Sequence, residues 1–327
     1  MKALRVHEVG SIDNLVVDDI ASPDCGAGAI KVRVHACGIN FADKLLVEGG
    51  YQEKPPTPFI PGGEIAGEVI EVGADVTGFA VGDKVMAMIS LGGLAEEAVL
   101  NPMMAVKLPP QADLTEAAAF AVAYGTSHLA LDHRAHLQPG ETLVVLGAGG
   151  GVGLTAVEIG KLMGAKVIAC AGSDAKLEAA REKGADVLVN YRTEDLRERI
   201  KAETGGRGAD VIYDPVGGDV FKAAMRAIAF EGRIIVIGFA SGEIPQIPAN
   251  ILLVKNISAV GLYWGAYSVR NPDVLLKSIR QLIDWYMAGK IKPHVSATYP
   301  LAEGAEAIRA LAERRSTGKV VVTSGDP

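Results

Sequence analysis

Five of the seven residues from Gly147 to Gly153 are glycine, and the run "VVLGAGGGVG" continues directly from strand-forming residues. A backbone that bare, set between a strand and a helix, lets amide N–H groups approach a pyrophosphate, while the helix start adds about half a positive charge. Gly147, Gly150 and Gly153 are spaced GxxGxxG, and the GxGxxG register ending on Gly153 has Ala148 first and Gly150 second. Gly150, Gly151, Val152 and Gly153 are therefore the candidate phosphate-binding positions. The same run would also serve as a tight turn with close helix–strand packing. "LTAVEIGKLMG" and "AKVIACA" follow as helix and second strand, the order a dinucleotide site requires.

Roughly twenty residues on, an NAD site usually carries an acidic side chain that accepts from the ribose 2′-OH. Here the second strand ends "ACAGS", and Gly172 and Ser173 offer no carboxylate, while Lys176 follows within one turn of the next helix. A 2′-phosphate would find a hydroxyl, helix-start amides and an ammonium there. This selects NADPH as the cofactor. Asp174 is read as a helix N-cap rather than a ribose ligand.

The surrounding elements suit such a site. After Pro139, strands and helices alternate through "ETLVVLG", "DAKLEAAREKG", "ADVLVNY", "ADVIYD", "DVFKAAMRAIAFEG", "RIIVIGFA" and "ISAVGLYW", with Gly164 and Gly184 as helix stops. That pattern predicts a doubly wound parallel sheet over 122–262. The first 110 or so residues are instead β-rich with hardly any helical periodicity. "AIKVRVHA" alternates strictly, as a half-buried antiparallel strand does, and "AGEVIEVG" and "GDKVMAMI" follow. Residues 272–288 and 301–314 read as helices and "GKVVVT" as a closing strand. Residues 1–121 and 263–327 are thus expected to form one domain around the central one.

Composition excludes several classes. The 327 residues are 49% hydrophobic, enough for a large core. Uninterrupted apolar stretches such as Ala117 to Ala123 fall far short of the roughly 18–20 residues of a membrane span, so no membrane partner is expected. The net charge of −7, with no lysine- or arginine-rich block, argues against nucleic acid. Three scattered cysteines without a CxxC pair, and no secretory signal pattern, give a cytoplasmic expectation. His35 and Cys37 lack further partners at metal-ligand spacing, and His128, His133 and His136 read as a helix surface, so no metal site is expected. Cys37 reads as a small packed residue.

Three stretches taken together, "ACGINFADKLLVEGGYQEKPPTPFIPGGEIAGEVIEVGADVTGFAVGDKV", "AAAFAVAYGTSHLAL" and "VVLGAGGGVGLTAVEIGKLMGAKVIA", resemble the zinc-independent medium-chain dehydrogenase/reductases of the NADPH:quinone oxidoreductase branch. The resemblance implies an α/β protein: a GroES-like, mainly β catalytic domain plus a Rossmann domain, and a homodimer joined through the Rossmann sheet edge at "NISAVGLYW". The zinc-dependent cousins place cysteine where this chain has Asn40, histidine where it has Gly63, and a four-cysteine lobe where it has "MISLGGLAEEAVL". By the same resemblance, Asn40 and Tyr51 line the nicotinamide pocket, with Asn40 orienting the carboxamide or polarising a substrate oxygen and Tyr51 a hydrogen-bond or proton donor. Thr126, Tyr191 and Lys319 are cofactor contacts by motif. Phe239 lies where the fifth strand of the sheet ends, the edge at which open α/β sheets bind ligands. Gly149 stands where the family commonly has alanine or serine.

Without a Lewis acid, hydride transfer needs an acceptor already electrophilic by conjugation. Reduction of quinones or related conjugated carbonyls is therefore the expected reaction. The alternatives are reduction of enoyl thioesters or 2-alkenals, and a non-catalytic NADPH-binding structural or sensing role.

Overall fold

The computed structural model describes residues 1–324, which divide into two compact units: Met1–Val122 with the chain from Pro293 onward, and Ala123–Lys292. Residues 263–292, expected with the first unit, pack in the second instead. The reason is the helix Pro272–Met287, which sets Ser278 Oγ 2.8 Å from His128 Nδ1 and Trp285 edge-on to the same imidazole.

In the first unit, β1 (Lys2–Val6) pairs with β2 (Leu15–Asp19). β3 (Ile30–Ile39), β4 (Glu64–Val72), β5 (Lys84–Met88), β6 (Glu97–Leu100) and β7 (Ala105–Lys107) belong to a second sheet. As the alternation required, Ile30, Val32, Val34 and Ala36 are buried while Arg33 and His35 face solvent. A helix, Phe41–Val47, interrupts the β-rich region. At seven residues it makes under two turns, too short to show a helical period in sequence.

The second unit contains β8 (Thr142–Leu146), β9 (Lys166–Ala171), β10 (Val187–Asn190), β11 (Ala209–Asp214), β12 (Ile228–Val236) and β13 (Ser258–Gly261). They form one sheet in the order β10-β9-β8-β11-β12-β13, with every neighbouring pair parallel. All five residues of β8 are buried, as a strand covered by helices on both faces must be. The helix expected over "DVFKAAMRAIAFEG" ends at Arg226, and "IAFEG" opens β12. Ile228 and Ala229 are buried in that sheet, so tertiary packing overrides the helical propensity of the alanines.

The chain then returns to the first unit as β14 (Val295–Pro300) and β15 (Lys319–Thr323), which complete the order β14-β15-β3-β4-β5-β7. The closing strand "GKVVVT" thus lies antiparallel to β3, with Val320 opposite Ile39. This register places Lys319 beside the turn that follows β3.

Candidate active site

At the carboxyl edge of the six-stranded sheet, five consecutive strands present the glycine run after β8, Gly172 and Ser173 after β9, Tyr191 after β10, the turn 215–217 after β11 and Phe239 after β12. That edge is where open α/β sheets take ligands. Gly147 turns the chain at φ +61°, and a Cβ on Gly153 would stand 2.2 Å from the Gly147 carbonyl oxygen, so the turn closes only without a side chain there. Gly150 caps the helix Gly151–Leu162 without a side-chain bond, leaving the first-turn amides of Gly151, Val152 and Gly153 with no side-chain cap and no intrahelical acceptor. The cradle fits a pyrophosphate.

Behind it, the Ser127 hydroxyl donates to the Val152 carbonyl oxygen at 2.9 Å and lies within 3.0 Å of the Thr155 and Tyr213 hydroxyl oxygens. Thr126, the residue singled out in "YGTSH", is itself buried. Its neighbour Ser127 is the one that braces the glycine turn, and the sequence reading passed over it.

Beside the turn, a Cβ on Gly149 would meet the Lys176 side-chain stem at 2.4 Å, so the absence of alanine or serine at 149 lets Lys176 lie against the glycine run. Ser173, not Asp174, is the N-cap residue of the helix Asp174–Glu182, because only its backbone is extended (φ −160°, ψ 152°). The Asp174 carboxylate accepts instead from Asn190 Nδ2 at 2.8 Å. Over Gly172, a Cβ would meet Arg192 Nε at 3.1 Å and the Tyr191 hydroxyl at 3.2 Å. Arg192 was missed in sequence, although it stands next to Tyr191 in "VNYR". A guanidinium one residue past the third strand was the available signal.

Asp214 ends β11 and accepts from the amides of Val216 at 2.8 Å and Gly217 at 3.0 Å. Burial raises its pKa to about 6 against those two hydrogen bonds. The turn it holds receives the loop of Phe239: Ala240 N–H donates to the Pro215 carbonyl and Ser241 N–H to the Val216 carbonyl.

In the first unit, Asn40 begins the helix Phe41–Val47, but its side chain does not cap it. Asn40 Oδ1 accepts from Lys319 Nζ at 2.7 Å, and Nδ2 donates to Glu64 Oε1 at 2.9 Å. The Lys319 ammonium also donates to Glu64 Oε1 at 2.7 Å and to the Ile39 carbonyl at 2.8 Å. Glu64 and Lys319 are 1% and 4% exposed. With three acceptors for three protons, Lys319 has none left for a cofactor, so it stands behind Asn40 rather than on the dinucleotide. Glu64 was not foreseen. Its one trace in sequence is a carboxylate opening the apolar-rich stretch "EIAGEVIEV".

Asp43 completes this buried group, accepting from the backbone N–H of Asn40 at 2.7 Å and of Gly62 at 3.0 Å. Burial raises its pKa to about 6, with the two hydrogen bonds and Lys319 opposing. Cys37 is fully buried against Gly62 and Gly93, and burial pushes its thiol well up, which suits packing rather than nucleophilic attack. Tyr51 is half-buried against the hydrophobic core of this unit, its amide donating to the Leu45 carbonyl at 3.1 Å.

The expected histidine surface holds for His133, which is half-buried, and His136, which is exposed, but not for His128. His128 is buried, hydrogen-bonded to Ser278, and burial lowers its pKa, whereas His133 and His136 pack edge-on to each other. His128 faces inward because the helix Pro272–Met287 covers it. Among the described residues, no group of three or more His, Cys, Asp or Glu is placed to hold a metal ion.

A sheet in Rossmann order with a glycine turn at its carboxyl edge, and a separate antiparallel unit built from both chain ends, define a nicotinamide-dependent oxidoreductase of two-unit plan. Residues 26–110 match the alcohol dehydrogenase GroES-like domain and residues 151–284 the zinc-binding dehydrogenase domain. The chain belongs to the medium-chain dehydrogenase/reductase family, in its quinone oxidoreductase-like branch. It is 46% identical to a quinone oxidoreductase-like protein 2 homolog of Nematostella vectensis over 99% of this chain and 89% of that protein. Among solved structures it resembles the Escherichia coli quinone oxidoreductase complexed with NADPH, with TM-score 0.91 and 29% identity over 99% of this chain and 100% of that one. The CurK enoyl reductase is similar at TM-score 0.90 and 27% identity, each chain covered to 99%. No helix among the described residues is long and apolar enough to cross a membrane.

Proposed function

We propose that the protein is an NADPH-dependent reductase that delivers hydride to quinones or related conjugated carbonyl acceptors without zinc. The observation that carries this reading is the placing of Tyr191 and Arg192 over Gly172 beside Ser173, with Lys176 against Gly149 of the glycine run, where an NAD site would carry a free acidic side chain. Lys176 and Arg192 would hold the 2′-phosphate by charge-assisted hydrogen bonds, and the amides of Gly151, Val152 and Gly153 the pyrophosphate. Bound there, the reduced nicotinamide supplies the hydride.

Asn40 orients the carboxamide, and Tyr51 donates a hydrogen bond or proton to the acceptor oxygen. A phenol O–H can serve as a hydrogen-bond or proton donor. The zinc-free reading is supported by the residues at two positions where zinc-dependent relatives carry ligands, Asn40 and Gly63, since neither side chain is a zinc ligand. A homodimer through β13 is consistent with its place at the sheet edge with mostly exposed residues, which a second copy would cover.

The likeness to the CurK enoyl reductase favours a second reading, reduction of enoyl thioesters or 2-alkenals at the same site. NADPH oxidation measured against 1,4-benzoquinone, 9,10-phenanthrenequinone, 2-alkenals and crotonyl thioesters separates the two by the acceptor with the highest kcat/KM. Tight NADPH binding with no accelerating acceptor would instead make the protein a dinucleotide sensor or structural component. Lys176→Glu should weaken NADPH by about 10- to 100-fold, the worth of one charge-assisted contact reversed, and leave NADH within about threefold. Equal loss for both cofactors would remove the 2′-phosphate assignment.

A further inference from the structure

The amide of Asn40 has a fixed orientation, set by chemistry rather than by shape. Lys319 is a donor only and lies 2.7 Å from one amide atom, which must therefore be the oxygen. Glu64 Oε1 lies 2.9 Å from the other, which must be the nitrogen, because that oxygen already accepts from Lys319 as a carboxylate. The second Nδ2 proton faces the Gly38 carbonyl at 3.3 Å. Both donors of the amide are thus engaged within the first unit. What remains is one lone pair on Oδ1, on a side chain that stays half-exposed while the two groups holding it are buried.

We infer that Asn40 meets its ligand as an acceptor alone, taking a hydrogen bond from the amino group of the nicotinamide carboxamide, and that Lys319 and Glu64 are positioning residues that forbid the flipped amide. This deepens the proposed function and rests on its placing of the nicotinamide at Asn40. Asn40 then donates nothing to a developing oxyanion. Of the two residues assigned to the nicotinamide pocket, the donor to substrate is left as Tyr51. Glu64 is itself anchored, its second oxygen accepting from the Val122 amide at 2.9 Å, so the orientation is relayed to Asn40 from β4 and β15 without any contact between those residues and the ligand. A flip would set the Asn40 Nδ2 against an ammonium and Oδ1 against a carboxylate, two repulsive contacts in a buried setting.

The test is the discrimination between NADP⁺ and its 3-acetylpyridine analogue, in which a methyl group replaces the carboxamide amino group, measured by titration calorimetry. Wild type should bind NADP⁺ about tenfold more tightly, the worth of one hydrogen bond of about 1.4 kcal/mol. In the charge-neutral double variant Lys319→Met/Glu64→Gln the amide is free to turn, and the ratio should fall to within about twofold. A merely structural role for the pair would weaken both ligands alike and keep the ratio, which would overturn the inference. So would equal affinity in wild type. If wild type binds neither dinucleotide, the proposed function falls and the inference with it. A second measurement needs no variant in the pair: the Asn40 side-chain NH₂ of unliganded wild type, assigned in ¹⁵N spectra by its loss in Asn40→Leu, should exchange slowly with solvent. Unprotected exchange would show that its donors are free and contradict the assignment.

Discussion

At the carboxyl edge of β8 the groups that would face a ligand are main-chain amides, and side chains are kept out by glycine; at Asn40 the supporting groups are long charged side chains, buried behind it with every Lys319 proton assigned. The first arrangement is local, complete within Gly147 to Gly153. The second joins Asn40 to residues 24 and 279 positions away in the chain. A site made of backbone tolerates substitutions around it but none at its closest approach, whereas one made of charged side chains fails whenever a single partner is lost.

Removing one partner of the charged group should have the largest effect. Lys319→Met leaves the Glu64 carboxylate buried without its ammonium, and breaking such a pair costs about 3–5 kcal/mol in urea denaturation. Adding Glu64→Gln should recover much of that loss. A single variant no less stable than the double would show that the ion pair is not the organising element.

Asp214 lies between the two cases, a side chain in the service of a backbone turn. Its folded pKa, about 6, is above the usual 3.8, so the folded chain holds the proton more tightly than the unfolded one. The associated stabilisation is full below about pH 4 and lost as pH rises through about 6, a swing on the order of 3 kcal/mol. Asp214→Asn, which keeps an acceptor for the Val216 and Gly217 amides, should therefore gain stability relative to wild type between pH 4 and pH 7. A stability difference that does not change with pH would place the carboxyl in water.

The backbone site can be broken by one methyl group. Gly153→Ala would press on the Gly147 carbonyl oxygen at 2.2 Å and should cost about 1–3 kcal/mol, with dinucleotide affinity falling in parallel. Unchanged Tm and unchanged NADPH affinity would mean that the turn opens freely and is no cradle.

The same contrast explains what could be read from the sequence. The glycine turn and the placing of Ser173, Lys176 and Tyr191 along the carboxyl edge of the sheet were legible because strand, turn and helix follow one another and these positions fall at or just past strand ends. Asn40 and Tyr51 came from motif, and the structure keeps both in the first unit. Glu64 was not legible, since a glutamate near other strand glutamates such as Glu68 and Glu71 looks like one more outward-facing residue until β15 delivers Lys319 beside it. His128 misled for the matching reason: with His133 and His136 it reads as a helix surface, and only the helix Pro272–Met287, some 150 residues on, buries it. Arg192 was overlooked because its charge becomes informative only when β10 lies next to β9 and brings it over Gly172.

The central claim is that the edge of β9 and β10 recognises a 2′-phosphate. Equilibrium titration of the wild-type protein with NADPH and with NADH tests it directly. The arrangement of Lys176 and Arg192 predicts NADPH binding at least about tenfold tighter, with the advantage shrinking as salt is raised. Equal affinities, or tighter NADH, would contradict it.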